Sequence, residues 1–402
     1  MKKNIIWFVV CLMSGLFCTS CWHEKTVTDS TSSKCRPTSA NITDRSKYTV
    51  ACYYFPNWGP KGESEWGVLQ AAKPKFEGHI QPKVPLWGYQ NEQDPAVMAQ
   101  KIDAAADSGI DSFIFDWYWY DTGSKFGKAL ENGFLKAPNN NRIKFAVMWC
   151  NHDDGPNHPG AVARATFETI TDYVIKNYFT HPSYWKIDGC PYFSIYQFFS
   201  LVETFGGSIP ETTAALERFR QKTKAAGFPD LHLNVVCWGV RPEGLLTRNP
   251  GLQVDSLTSY VWVHHISVPD FPATQYQILA DAYFQTLYNG GAGNGLQQPA
   301  INFSVPYHPN VTMGWDPSPR CDQSAPWTQD KPYPYGAVLV GNTPQAFKNA
   351  LLQAVKFVDA SPHKQKIITI DAWNEWTEGS YLEPDTVNGM KYLQAIKEVF
   401  RR

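Results

Sequence analysis

The densest group of residues able to do chemistry lies in the segment 371–384. Two carboxylates, Glu375 and Glu378, stand three residues apart just after an apolar run at 367–370 that is typical of a buried strand. Aromatic residues are interspersed with them, namely Trp373, Trp376 and Tyr381. Cleavage of a glycosidic bond needs one carboxyl to protonate the leaving oxygen and another to act on the opposite face of the sugar. The segment therefore predicts a carbohydrate-cleaving site, and a capped loop with solvated acids is the alternative.

Apolar runs typical of strands alternate with helical patterns along the rest of the chain. Strands are predicted at 49–55, 112–117, 144–149, 192–196, 233–238, 257–263, 300–305 and 367–372. Helices are predicted at 94–109, with Asp94 as N-cap, at 165–179, 213–226 and 272–288, from Thr343 onward, and at 390–400. This alternation predicts an α/β protein with one domain, a parallel (β/α)8 TIM barrel. A doubly wound sheet is the alternative, but the glycine-rich stretch 290–295 follows a helix and not a strand.

Polar and aromatic residues follow nearly every predicted strand. The C-terminal ends of barrel strands meet at one face, where barrel enzymes carry their chemistry. For Asp116 a role in the site and a role as a strand-end cap are equally favoured. His264 and His265 are adjacent and would face opposite ways on a strand, so one of them enters the cleft at most. The residues predicted to bind substrate are Tyr54, Trp58, Asp116, Trp117, Tyr118, Asn151, His152, Tyr196, Trp238, Tyr260, Trp262, Trp315, Asp316, Arg320, Trp373, Asn374, Trp376 and Tyr381.

The N-terminal residues predict export. Two lysines precede an apolar run at 5–17, and small residues then precede Cys21, as in a bacterial lipoprotein signal, although Cys18 stands where an aliphatic residue is more usual. We expect a signal peptide at 1–20, a lipidated Cys21 on a flexible Ser/Thr-rich tether at 21–47, and a catalytic barrel at 48–402. The expected location is the outer membrane, at the cell surface or the periplasmic face. Ordinary signal cleavage nearby is the alternative.

Composition narrows the class of partner. The net charge of −1 argues against a nucleic-acid partner, and 15 Trp, 20 Tyr and 23 Phe suggest an aromatic-lined cleft. Cys52, Cys150 and Cys237 fall in predicted strands and are interpreted as small buried hydrophobes. No CxxC spacing supports zinc, and His152 beside Asp153 matches no zinc pattern, so hydrogen bonding to sugar hydroxyls is favoured there. We expect a monomer that binds carbohydrate, without a metal or other cofactor, and that meets the membrane only through its lipid anchor.

The segment 374–384 resembles the hallmark of glycoside hydrolase family 99, the endo-alpha-mannosidases, and resembles the related WbsX-like proteins more closely still. Supporting motifs lie at 53–58, 109–118 and 314–320, so the resemblance covers nearly all of the predicted barrel. It implies a (β/α)8 barrel and a retaining, metal-independent mechanism. Glu378 matches the general acid/base, and Glu375 matches the glutamate thought to deprotonate the sugar 2-hydroxyl.

This chain departs from the endo-mannosidases at Thr377, where they usually carry His, and at Ser380-Tyr381, which replaces a Thr-Gln pair. Both departures put mannose specificity in question. The residues alone also allow direct nucleophilic attack by Glu375, which requires carboxyls roughly 5 Å apart. Two other classes stay open: a WbsX-like glycosyltransferase of polysaccharide biosynthesis, and a non-catalytic glycan-binding barrel.

Overall fold

The computed structural model describes residues 47–60, 65–238, 253–291 and 296–400, and these belong to one compact unit. The predicted signal peptide, Cys21 and the tether up to residue 46 lie outside the described residues. Within the described ranges, no helix combines the length and the apolar character needed to cross a membrane.

A nearly closed barrel of parallel strands forms the centre of the fold, as predicted. Its nine strands are β1 (Thr49–Tyr54), β2 (Ser112–Tyr120), β3 (Lys144–Trp149), β4 (Cys190–Ile195), β5 (His232–Val236), β6 (Ser256–Thr258), β7 (Tyr307–His308), β8 (Asn310–Thr312) and β9 (Ile367–Asp371). They pair in sequence order from β1 to β7, and β9 lies between β1 and β8. In register, Ala51 is the partner of both Ser112 and Thr369.

The seventh barrel position is shared by β7 and β8, which Pro309 separates. Tyr307 and His308 pair with β6, whereas Asn310–Thr312 pair with β9. Proline has no N–H to donate to a ladder, but the carbonyl of Pro309 still accepts a hydrogen bond from the backbone N–H of Thr369 at 3.0 Å. The barrel therefore changes partners at this proline and keeps the eightfold arrangement.

Helices on the outside of the barrel begin and end where the sequence indicates in several cases. They are α1 (Trp66–Ala71), α2 (Pro95–Ser108), α3 (Arg164–Val174), α4 (Phe198–Thr204), α5 (Ile209–Ala225), α6 (Tyr276–Asn289), α7 (Pro344–Ala360) and α8 (Lys391–Phe400). The Asp94 carboxylate accepts a hydrogen bond from the Ala96 N–H, and Gly109 ends α2 with φ of 105°, a conformation that favours glycine. The Thr343 hydroxyl caps α7 in the same way.

Three predicted elements are wrong. The predicted strand 300–305 is a 3₁₀ turn at Ala300–Asn302, and the strand position is filled further along by β7 and β8. The predicted strand 257–263 ends at Thr258, because Trp262–His264 form a 3₁₀ turn. The predicted helix 272–288 begins only at Tyr276, because Ala273–Gln275 pair with Val338–Val340 in a separate small sheet. Short apolar runs occur in strands as well as in helices and turns, so the local sequence pattern did not distinguish these three elements.

The three cysteines that were interpreted as small buried hydrophobes, Cys52, Cys150 and Cys237, are buried in the structure. Cys52, Cys150 and Cys321 carry free thiols. Cys190 is disulfide-bonded.

Candidate active site

A short hairpin after β9 carries the two glutamates. Asn374–Glu375 pair antiparallel with Ser380–Tyr381, and the 3₁₀ turn Trp376–Glu378 connects them. Gly379 closes the turn with φ of 68°, and a Cβ added there would lie 2.7 Å from the Cβ of Asp316. The backbone N–H of Asp316 donates to the carbonyl of Glu378 at 2.5 Å. The hairpin is therefore fixed against the loop that follows β8.

A single guanidinium bridges the two glutamates. Nη2 of Arg320 donates to Oε1 of Glu375 at 2.7 Å, and Nη1 donates to Oε1 of Glu378 at 2.5 Å. The side chain of Glu375 is 4% exposed and that of Glu378 is 13% exposed. The two carboxylates are therefore joined through the two terminal nitrogens of one rigid planar group.

Two residues that sequence reasoning missed complete this group. The Glu65 carboxylate accepts hydrogen bonds from Nε and Nη2 of Arg320 at 3.2 and 3.1 Å, and it also accepts one from the hydroxyl of Thr377. The Tyr333 hydroxyl donates to Oε1 of Glu378 at 2.6 Å. Both residues lie in loops outside the barrel strands, where no strand-end signal marks them. Thr377, a position that departs from the endo-mannosidases, thus contacts a carboxylate of the site.

Burial sets the electrostatics of Glu375. Loss of solvent raises its pKa well above the ordinary range, Arg320 opposes that rise, and the neighbouring charge of Glu378 adds to it. A carboxylate with a raised pKa is a stronger base than an exposed one, and catalytic acids and bases work best with a pKa near the operating pH.

A third carboxyl, Asp116, lies inside the barrel near the glutamates. One of its oxygens accepts a hydrogen bond from the Tyr260 hydroxyl at 2.9 Å, and the other is buried without a hydrogen-bond partner. Burial raises the pKa of Asp116, which the Tyr260 hydrogen bond lowers and the charge of Glu378 raises further. A buried oxygen without a partner is suited to accept a hydrogen bond from a bound hydroxyl group.

Aromatic side chains from the ends of other strands form a connected group beside this centre. The Tyr196 and Trp238 rings stack with centroids 5.2 Å apart, and His264 lies 5.2 Å from Trp238. Tyr196 also contacts Tyr260 and His152, at 5.5 and 5.4 Å between centroids. His152 in turn lies 5.8 Å from Tyr118. We call this group, Tyr118, His152, Tyr196, Trp238, Tyr260 and His264, the aromatic wall.

The two histidines of the aromatic wall are buried, which disfavours their charged form. Burial lowers the pKa of His152 and lowers that of His264 further, with His265 adding to the effect. His264 faces the aromatic wall, whereas His265 lies 6.1 Å from Tyr283 of α6, on the other side. The two adjacent histidines therefore contact different rings, and His264 ends a 3₁₀ turn rather than lying on a strand. Among the described residues, no group of three or more His, Cys, Asp or Glu side chains is arranged to hold a metal ion.

Several predicted substrate-binding residues lie away from this centre, and we no longer propose them as substrate contacts. Trp117 follows the inward-facing Asp116 on β2, so it points outward, with Tyr173 and Tyr178 as neighbours. Trp262 is fully buried against Tyr276 and Tyr283 of α6. Further members of this outward or fully buried set are Tyr54, near Phe113 and Phe115, and Trp373, near Phe113.

Other predicted contacts hold the backbone of the site. Asn374 bonds both the N–H and the carbonyl of Phe55 at 2.8 Å, and its own carbonyl accepts from the Trp58 indole at 2.8 Å. Asn151 holds both backbone groups of Gln197 in the same manner. Asp316 accepts hydrogen bonds from His79, Gln81 and Ser318. These residues are buried, and their polar groups are directed to the protein.

The hairpin aromatics also pack within the protein. Trp376 is fully buried, its ring stacks on Tyr381 with centroids 3.8 Å apart, and its indole donates to Glu383 at 2.9 Å. The Tyr381 hydroxyl donates to Asp385 at 3.0 Å. Trp315 is partly exposed, and its ring lies 6.2 Å from that of Tyr333, the residue that bonds to Glu378.

Two solved structures are similar to the chain in architecture. A structure described as a glycoside hydrolase-like protein matches with a TM-score of 0.58 at 15% identity, over 91% of this chain and 97% of that one. The GH99 endo-alpha-mannosidase from Bacteroides thetaiotaomicron matches with a TM-score of 0.50 at 16% identity, over 87% and 96% of the two chains. The fold is thus a glycoside hydrolase-like TIM barrel.

The chain belongs to the family described as Glycosyltransferase WbsX, whose model matches residues 55–396. Two curated relatives, both described as the uncharacterized protein WxcX, come from strains of Xanthomonas campestris pv. campestris. They are 24% and 26% identical over 378 and 377 residues, or 88% of this chain. The chain spans about half the length of these relatives, 50% of each.

Proposed function

We propose that the protein is a retaining glycoside hydrolase that acts on an uncharged oligosaccharide or polysaccharide. The observation that carries the proposal is the pair of carboxylates, Glu375 and Glu378, joined by the Arg320 guanidinium at 2.7 and 2.5 Å beside the aromatic wall. Retaining glycosidases use two carboxyl groups held close together, roughly 5 Å apart, whereas inverting enzymes leave room for a water between them.

Glu378 is proposed as the general acid/base. It is the more exposed of the two carboxylates, and one of its oxygens is already held by Arg320 and Tyr333. That arrangement orients the other oxygen for a leaving group that enters from solvent. Trp376 and Tyr381 stack on each other, and the aromatic residue that bonds to Glu378 is Tyr333.

Glu375 is proposed to act at the anomeric centre. As a base it would take the proton of the sugar 2-hydroxyl, and this oxygen would attack C1 and expel the leaving group, which Glu378 protonates. Water deprotonated by Glu378 would then open the resulting anhydro sugar at C1, and Glu375 would return the proton to the 2-oxygen. As a nucleophile it would instead form a glycosyl ester that water later cleaves. Its raised pKa favours the base, because a stronger base accepts the hydroxyl proton more readily. An α-mannoside is the first substrate to test, since the matched family 99 structure is an endo-alpha-mannosidase.

A glycosyltransferase is the second candidate, and the description of the family favours it. The charge of the site opposes a nucleotide-sugar donor. Among the described residues, Arg320 is the cation that contacts the two glutamates, and the carboxylates of Glu65, Glu375 and Glu378 surround it. A diphosphate needs cationic or backbone N–H partners, and here it would meet an excess of carboxylates. A non-catalytic glycan-binding barrel is the third candidate.

We also propose that the protein is an exported lipoprotein of the outer membrane, anchored through Cys21. The N-terminal pattern motivates this location, and the disulfide at Cys190 supports it, because disulfides persist in oxidising compartments outside the cytoplasm.

Incubation with a panel of aryl α- and β-glycosides and neutral oligosaccharides tests the proposed function. Matched reactions with nucleotide sugars and acceptor glycans run in parallel. We expect hydrolysis of one or more glycosides and no transfer from nucleotide sugars, and we expect Glu375→Gln to abolish the hydrolysis. Transfer without hydrolysis would identify a glycosyltransferase, and glycan binding without turnover would identify a binding protein.

A further inference from the structure

A buried cluster of charges lies directly behind the catalytic hairpin. Lys101 of α2 is 0% exposed, and its Nζ lies 2.5 Å from a carboxylate oxygen of Glu92 and 2.5 Å from one of Glu383. None of these groups faces the cleft, so the hydrolytic mechanism proposed above makes no direct use of them. We call the three residues the Lys101 cluster.

Each acid of the Lys101 cluster holds a residue adjacent to Glu375. Both oxygens of Glu92 accept hydrogen bonds from the side-chain amide of Asn374, at 3.0 and 3.1 Å. Oε2 of Glu383 accepts a hydrogen bond from the indole of Trp376 at 2.9 Å. Asn374 and Trp376 directly precede and follow Glu375, so the cluster holds the side chains of both residues adjacent to that carboxylate.

Stability alone is a weak reason for such a cluster. Desolvation of buried charges is unfavourable, and replacement of buried ion pairs by apolar residues is often neutral or stabilising. Hydrogen bonds between a lysine and two acids do, however, set the orientation of these side chains, because hydrogen bonds are directional and apolar contacts are not. Here the two acids also accept hydrogen bonds from the hairpin that carries Glu375.

We propose that Lys101, Glu92 and Glu383 are positioning residues that hold Glu375 against Arg320 in its reactive orientation. This inference rests on the proposed function for its catalytic consequence, whereas the geometric consequence stands by itself. Loss of one of these hydrogen bonds should let the hairpin shift and should lower turnover more than substrate binding. Catalysis depends on orientation, and a shift of about 1 Å can lower the rate by a factor of about 10².

Trp376→Phe is the informative variant, because it removes the indole N–H that reaches Glu383 and keeps an aromatic ring. Trp262→Phe is a matched control. Trp262 is also fully buried and also donates its indole N–H at 2.9 Å, but to the carbonyl of Asn310 on another side of the barrel. Both variants lose one buried hydrogen bond and comparable ring area.

The expected result is a kcat that falls about 10- to 100-fold in Trp376→Phe with KM changed by less than about threefold, whereas Trp262→Phe keeps kcat within about threefold. Equal losses in both variants, or no loss in Trp376→Phe, would overturn the proposal. If Trp376→Phe does not fold, Glu383→Gln provides the second variant, because it keeps the shape and removes the charge that Lys101 contacts.

A crystal structure of Trp376→Phe separates this proposal from the proposed function. The positioning role predicts that Glu375 moves away from Arg320, with a longer contact than the 2.7 Å of the native protein. An unchanged hairpin and an unchanged contact would overturn the proposal whether or not the wild-type protein hydrolyses any glycoside. A displaced Glu375 in a protein without hydrolytic activity would uphold the positioning role and refute only the hydrolase.

Discussion

Replacement of Arg320 by glutamine should make both the stability and the activity of the protein depend differently on pH. The change removes the cation that bridges Glu375 and Glu378 and leaves two carboxyls at close range with Glu65. An opposite charge at such a distance lowers the pKa of a carboxyl by about 1–3 units. Without Arg320, the pKa of Glu375, which burial already raises, should rise further by a similar amount.

The sign for stability follows from this shift. A carboxyl with a folded-state pKa above its unfolded value stabilises the fold below the unfolded pKa, and this contribution is lost as pH rises through the folded pKa. The difference in unfolding free energy between wild type and Arg320→Gln should therefore be small near pH 4. It should grow as pH rises, by about 1–4 kcal/mol, since one pKa unit corresponds to about 1.4 kcal/mol.

Thermal unfolding across this pH range measures the effect on stability. The pH–rate profile for a hydrolysed glycoside measures the effect on Glu375 as the base, and its acidic limb should move to higher pH in Arg320→Gln. Arg220→Gln is a control, because Arg220 also pairs with two acids, Asp230 and Asp255, and contacts neither Glu375 nor Glu378 in the ion pairs that it forms. That variant should lose stability without moving the pH–rate profile. A stability gap for Arg320→Gln that stays constant with pH would refute the electrostatic role given to Arg320.

Three further predictions address the acid/base, the Lys101 cluster and the anchor. Glu378→Gln should slow hydrolysis of glycosides with poor leaving groups by about 10²–10⁴-fold and should largely spare those with very good ones, as measured by kcat/KM across a series of aryl glycosides; equal losses across the series would contradict an acid role. Burial raises the pKa of Glu92 to about 7, with Lys101 opposing and Glu383 adding to the rise, so its contribution to stability is lost as pH rises through 7. The Tm of Glu92→Gln should therefore fall less between pH 6 and 8 than the Tm of the wild type, whereas the control variant Glu398→Gln, at an exposed glutamate, should follow the wild type. An unchanged slope in Glu92→Gln would contradict the prediction. Cys21→Ala should abolish lipid labelling and membrane partitioning, and unchanged partitioning of the variant would argue against the anchor.

Much of the barrel could be predicted from the sequence because its strands are short apolar runs bounded by clear helix signals. The helix Pro95–Ser108 is an example, since Asp94, Pro95 and Gly109 each carry a local reason for the boundary. The split strand at Pro309 could not be predicted this way, because its two halves depend on pairing with different neighbours. Trp262 was placed in the site because it lies in the predicted strand 257–263, whereas in the structure it begins a 3₁₀ turn.

The centre of the candidate site was predictable in part. The glutamates, Arg320, Asp116 and most members of the aromatic wall were chosen because they follow strands, and the structure brings them together. Glu65 and Tyr333 lie in loops, and their proximity depends on tertiary folding alone. The outward direction of Trp117 was present in the sequence, because strand side chains alternate and Asp116 faces inward.

The stereochemistry of the first product tests the central claim most directly. Proton NMR of a hydrolysis reaction, recorded before the released sugar mutarotates, reports the anomeric configuration of that product. The close pairing of Glu375 and Glu378 through Arg320 predicts net retention of configuration, and it predicts loss of turnover on the matching 2-deoxy glycoside, which has no 2-hydroxyl to deprotonate. An inverted first product would contradict the account, because inversion requires carboxyls about 6.5–9.5 Å apart with a water between them.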